Sequence, residues 1–138
     1  MPKVGDRRTI EHTFTPGEVQ AFVQASGDRG VHHVTPDASG RLMVHGLLLG
    51  TLPTVIGGEL NFLAREMTFE FLRPVFTGDT VRCDVVLTRW EPSGDRILVT
   101  AEWECLNQHR AAVMRGQAKG IVRRPARSSG KSSPGGTT

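Results

Sequence analysis

Residues Leu42 to Gly58, LMVHGLLLGTLPTVIGG, contain no Asp, Glu, Lys or Arg. Drawn as a helix, this run places Leu47, Leu48, Leu49, Leu52, Val55 and Ile56 around the whole circumference, which predicts a helix buried on all sides. Gly46, Gly50 and Pro53 interrupt it, and it is too short to cross a bilayer, so a core helix is the expectation. Pro53 is expected to kink it, and Gly57-Gly58 to end it by admitting positive φ. At the entrance, Val44-His45-Gly46 sets a residue without a side chain among the first free backbone N–H groups, where a substrate oxygen could be held. His45 itself reads as a helix-entry residue, hydrogen-bonded inside.

The rest of the chain supplies what such a helix must pack against. Arg8–Phe14 reads as a short strand. In FTPGEV, Thr15 is an N-cap, Pro16 takes the first helical position, and Glu18 completes a capping box. Phe14 and Val19 have the spacing of a hydrophobic staple, and Gly27 closes the helix Pro16–Ala25. Gly27–Arg41, GDRGVHHVTPDASGR, reads as a polar loop. Strands are expected over Leu60–Leu72, Thr80–Trp90, Ile97–Cys105 and Ala111–Val122, the middle two alternating cleanly in polarity. Helices followed by consecutive antiparallel strands give the α+β class. An antiparallel sheet around one apolar helix is the hot-dog architecture. One such unit leaves sheet edges open, so a homodimer with a continuous sheet is expected.

Composition narrows the function classes. The net charge of +3 is misleading, because Arg123, Arg124, Arg127 and Lys131 fall after the last strand with no acid among them. Without those four cations the remainder carries −1, so no folded basic face points to nucleic acid. Residues 1–122 read as one domain, and 123–138 as a basic Ser/Gly/Pro-rich tail too poor in apolar side chains to order itself. Cys83 and Cys105 lie inside strands without metal-ligand spacing and read as free core thiols. MPKVGDRRT has no apolar signal region, and a cytoplasmic protein with no membrane partner is the expectation.

Asp28 and His33 share one loop just after a helix end. A carboxylate and an imidazole that meet can divide acid and base work on one water. The run Ser26, Gly27, Asp28 and His33, followed by Val44-His45-Gly46 and then by Phe71, Pro74, Val75, Phe76, Gly78 and Asp79, resembles the MaoC-like (R)-specific enoyl-CoA hydratases. It does so in the same order from about Phe14 to Val122. At Gly30-Val31 the chain departs from the Asn-Pro usual in that family, and the stretch from His33 to His45 is shorter. The resemblance implies that Asp28 and His33 activate a water for addition to C3 of a trans-2-enoyl thioester, while the Gly46 N–H holds the thioester carbonyl. It implies an acyl-CoA or acyl carrier protein thioester as substrate, and neither a metal nor another cofactor. Negative charge builds on the thioester oxygen during such an addition, and an N–H aimed at it stabilises that state. The adjacent His32 would point away if the piece were extended. Two other readings stand beside this one. A hot-dog thioesterase would place a carboxylate on the central helix, where Leu42–Gly58 has none. A non-catalytic acyl-ligand binder or partner subunit of a dehydratase would typically lack the Asp/His pair.

Overall fold

The computed structural model describes residues 1–124. In chain order these form β1 (Arg7–Thr13), α1 (Pro16–Ser26), α2 (Val31–Val34), α3 (Gly46–Leu49), α4 (Thr51–Glu59), β2 (Phe62–Phe71), β3 (Thr80–Ser93), β4 (Arg96–Leu106) and β5 (Ala112–Arg123). The expected tail falls, from residue 125 onward, outside the described residues. Before it, the last strand runs through Arg123, and the Arg124 N–H donates to the Asp95 carbonyl at 3.0 Å. No helix among the described residues is long and apolar enough to cross a membrane.

The five strands make one antiparallel sheet in the order β1-β3-β4-β5-β2, with β1 and β2 at its edges. Period-two polarity gives the sheet one apolar face, because alternate side chains point to opposite sides. Val81, Cys83 and Val85 of β3, Trp103 and Cys105 of β4, and Met114 and Ala118 of β5 line that face, and Leu49, Leu52 and Ile56 of α3–α4 pack onto it. Each such helix side chain contributes about 1.5–3 kcal/mol on burial. Trp103 and Phe69 flank Gly116 across the sheet, their ring centroids 5.6 Å apart. A side chain at Gly116 would collide with the Thr68 carbonyl and meet the Trp103 indole at 3.0 Å, so the close approach there requires glycine.

The start of α1 follows its sequence signals closely. Thr15 Oγ1 accepts from the Glu18 N–H, and the Glu18 carboxylate accepts from the Thr15 N–H in return. Phe14 and Val19 are both buried, and Gly27 ends the helix at φ 80°. These caps fix where the chain leaves α1, and therefore where Asp28 stands.

The apolar run breaks at Gly50 as expected and departs from expectation in three respects. Leu42–Val44 is extended rather than helical: Met43 bridges Phe76, the Val44 N–H donates to the Val75 carbonyl, and the Thr77 N–H donates to that of Leu42. The helix then begins at Gly46 and is interrupted at Gly50, one turn before Pro53. A proline ring crowds the carbonyl four residues earlier, here that of Leu49, and removes the N–H that would have bonded it. Gly57 and Gly58 stay helical, and the chain turns at Asn61 instead, at φ 56°. Finally, burial is one-sided. Leu47 is 64% and Val55 46% exposed, because a single sheet covers a single side of α3–α4.

Candidate functional site

Asp28 follows the left-handed Gly27, and nearly all of its polar atoms are tied down. Its N–H donates to Ser26 Oγ at 3.0 Å, its Oδ1 accepts from the Gly30 N–H at 3.1 Å, and its carbonyl accepts from His45 Nε2 at 3.1 Å. Only Oδ2 is left, and it lies 3.7 Å from His33 Nε2. The Gly30 N–H is the main cause that holds the Asp28 carboxyl below the usual carboxylate range. Partial desolvation opposes it, and His33, His45 and His32 pull the same way as Gly30.

His33 is the buried member of the pair, its side chain 7% exposed against 57% for Asp28. The expected polar loop in fact contains a helical turn, α2, that carries both His32 and His33. His32 therefore does not point to the opposite side; the two rings meet edge-on with centroids 4.0 Å apart. His33 Nδ1 lies 2.7 Å from the Met43 carbonyl. A carbonyl can only accept, so Nδ1 carries the proton. In the neutral ring, the Nε2 lone pair then faces Asp28 Oδ2. Two acceptors 3.7 Å apart are the right distance to share the two hydrogens of one water, each at an ordinary hydrogen-bond length.

Gly46 provides the first N–H of α3, and that N–H has no acceptor among the described residues. Because α3 is a single turn broken at Gly50, the N–H itself matters more than a helix dipole. His33, Val44, Gly46, Leu49, Phe71 and Arg73 line one cavity of about 340 Å³. The Phe71 ring lies over Gly46, where an added Cβ would come within 3.0 Å of its Cζ. A second, mostly apolar cavity of about 210 Å³ lies under α4, between Ile56, Gly57, Met67, Leu87, Trp103 and Ala118. A wider concavity of about 730 Å³ lies on the opposite face of the sheet among Arg7, Glu70, Asp84 and Glu102, and contains none of Asp28, His33 and Gly46.

Two residues of the site escaped the sequence reading. Phe71 counted in the sequence as the first residue of the third motif, with no place at the site. His45 was placed correctly at the helix entrance with an internal hydrogen bond, but its contact with the dyad was not foreseen. It is 2% exposed, and its ring stacks on that of His33, with centroids 3.6 Å apart and planes within 13°. The signal was a lone polar side chain inside a charge-free run. One ligand-type atom each from Asp28, His33 and His45 falls within a 4.8 Å cluster. Nearly parallel rings direct their in-plane lone pairs along separate planes, whereas ligands of one ion need them to converge. One ring would have to turn before these three could share a metal.

No protein-family model matches the sequence, and no curated protein matches it. Solved structures do. The (R)-hydratase from A. caviae involved in PHA biosynthesis is 28% identical, with a TM-score of 0.74 over 90% of this chain and 98% of that one. The R-hydratase PhaJ1 from Pseudomonas aeruginosa is 21% identical, with a TM-score of 0.77 over 96% and 91%. A MaoC-like dehydratase from Rhodospirillum rubrum is 21% identical, with a TM-score of 0.71 over 90% and 94%. The matching structures also include heteromeric complexes. The chain thus has the hot-dog fold of the MaoC-like dehydratases and (R)-hydratases, as its motifs indicated.

Proposed function

We propose that this chain is a hydro-lyase that adds water to, or removes it from, a trans-2-enoyl / (R)-3-hydroxyacyl thioester. The observation that carries the reading is the 3.7 Å approach of Asp28 Oδ2 to His33 Nε2, beside a cavity that His33 shares with the free N–H of Gly46. A water donating to both acceptors presents its oxygen lone pair to C3 of the enoyl group. His33 Nε2 takes one of its protons as the C3–O bond forms, and returns that proton to C2, so the elements of one water are added across the double bond. Asp28 stabilises the charge that develops on the imidazole. The Gly46 N–H donates to the thioester oxygen while that oxygen carries enolate charge, the type of interaction that most lowers such barriers. The dehydration direction uses the same groups in reverse order.

The acyl group is assigned to apolar surroundings such as Leu49 and the cavity under α4, and the carrier to CoA or an acyl carrier protein. A homodimer fits the unpartnered edge of β2 and the exposed Leu47, Val55, Leu63 and Phe71, which a second copy would cover. The thioesterase reading is weaker, since α3–α4 carries no carboxylate before Glu59 at its very end. A non-catalytic subunit would have no use for an intact Asp28–His33 pair. The deciding assay incubates purified protein with crotonyl-CoA. Loss of the conjugated enoyl absorbance without free thiol supports hydration. Thiol release would assign the chain to the thioesterases, and no reaction would leave the binding role.

A further inference from the structure

We propose that His45 is the positioning residue of the Asp28–His33 pair, and that its means is the N–H it gives to the Asp28 carbonyl. The proposal rests on the hydro-lyase reading of the site. His45 is wholly enclosed at the N-cap of α3, in tilted contact with Phe22 at 4.8 Å and stacked on His33. Its carbonyl accepts from the Leu49 N–H, but its side chain makes no capping bond and is free for another partner. Its Nε2 lies 3.1 Å from the Asp28 carbonyl, which can only accept, so Nε2 carries the proton. Nδ1 is then a lone pair, and it is buried with no partner among the described residues.

A buried acceptor without a partner destabilises a fold. A phenyl ring would keep the stack on His33 and remove the unpaired nitrogen, though it is larger and leaves the Asp28 carbonyl without a donor. What it could not do is hold the carbonyl of Asp28. That carbonyl belongs to a residue whose N–H and Oδ1 are pinned by Ser26 and Gly30, on the exposed side of the pair. His45 supplies the one anchor that comes from the buried side, and it ties the loop after α1 to the residue next to Gly46. The ring thereby ties Asp28 directly to the residue next to Gly46, beside the bond that ties His33 to Met43. Displacement of about 1 Å at a reacting group can cost on the order of 100-fold in rate.

Two substitutions separate this role from mere packing. His45→Phe keeps the aromatic face and loses the N–H. His45→Gln loses the face but places an amide N–H where Nε2 stands. Positioning through the N–H predicts that His45→Phe stays folded while kcat for crotonyl-CoA falls about 10–100-fold at nearly constant KM. His45→Gln melts lower yet keeps kcat within a few-fold. A packing role predicts the inverse order of activities, and wild-type kcat in His45→Phe overturns the proposal. If the wild-type chain does not hydrate enoyl thioesters, the functional reading fails, and amide NMR still decides the positioning claim. The Gly30 amide, bonded to Asp28, should shift in His45→Phe and stay in place in His45→Gln. An unchanged Gly30 resonance in His45→Phe rejects it.

Discussion

Asp28→Asn isolates the chemistry of one oxygen. The backbone bonds of residue 28 to Ser26 and His45 do not depend on its side chain, and an asparagine carbonyl can still accept from the Gly30 N–H at the Oδ1 position. The change falls on Oδ2 alone, which becomes an amide donor 3.7 Å from His33 Nε2. Water then has one acceptor instead of two, and the imidazole loses the carboxylate that stabilises its charged form. Positioned acid–base groups supply roughly 10²–10⁴-fold in rate, equivalent to about 2.7–5.4 kcal/mol of barrier. Because the side chain is more than half exposed, the melting temperature should change little. KM should move little, since Asp28 does not border the cavity shared by His33 and Gly46. The assay is initial hydration of crotonyl-CoA with a melting curve for each variant. A folded Asp28→Asn protein that turns over at the wild-type rate would refute the role given to Asp28 Oδ2.

His33→Gln should lose a comparable factor, whereas His32→Gln, edge-on to it and outside the pair, should be mild; equal losses in both would mean that the α2 turn rather than Nε2 matters. The Asp28 carboxyl, held below its ordinary range mainly by the Gly30 N–H, should stay charged down to about pH 5; a carboxyl signal of Asp28 that titrates above that pH by NMR would contradict it. Gly46→Val should abolish turnover, since its side chain fills the space between the Gly46 N–H and the Phe71 ring, where the Cβ alone comes within 3.0 Å; retained activity would remove the carbonyl-binding role from Gly46. Leu47→Glu with Val55→Glu should convert a dimer into monomers by light scattering, while a wild-type monomer would refute the covered-helix argument. Cys83 and Cys105 face each other across β3 and β4, and hydrogen bonding to Cys83 together with burial pushes the Cys105 thiol up, so a thiol reagent should find neither until the protein unfolds.

Much of this was legible in the chain because the signals were local. Thr15, Pro16, Glu18 and Gly27 specify α1 by caps that need no tertiary context, and the alternation in β3 and β4 specifies which face is inside. The apolar run was harder. A charge-free stretch has no period to distinguish helix from strand, and Leu42–Val44 turned extended because backbone groups of residues 75–77 bond it. Burial on all sides was inferred from composition, but a single sheet covers only one side. At the site, Asp28, His33 and Gly46 were named from motif order. That His45 stacks on His33 and holds Asp28 depends on α2 and α3 meeting in space, and no spacing in the sequence encodes that.

The central claim is spatial, and a crystal structure of the wild-type protein soaked with (R)-3-hydroxybutyryl-CoA tests it most directly. The account predicts the thioester oxygen about 2.7–3.1 Å from the Gly46 nitrogen, with the C3 hydroxyl within hydrogen-bond reach of both Asp28 Oδ2 and His33 Nε2. A thioester bound elsewhere, or a C3 hydroxyl turned away from the pair while the oxygen sits at Gly46, would contradict it.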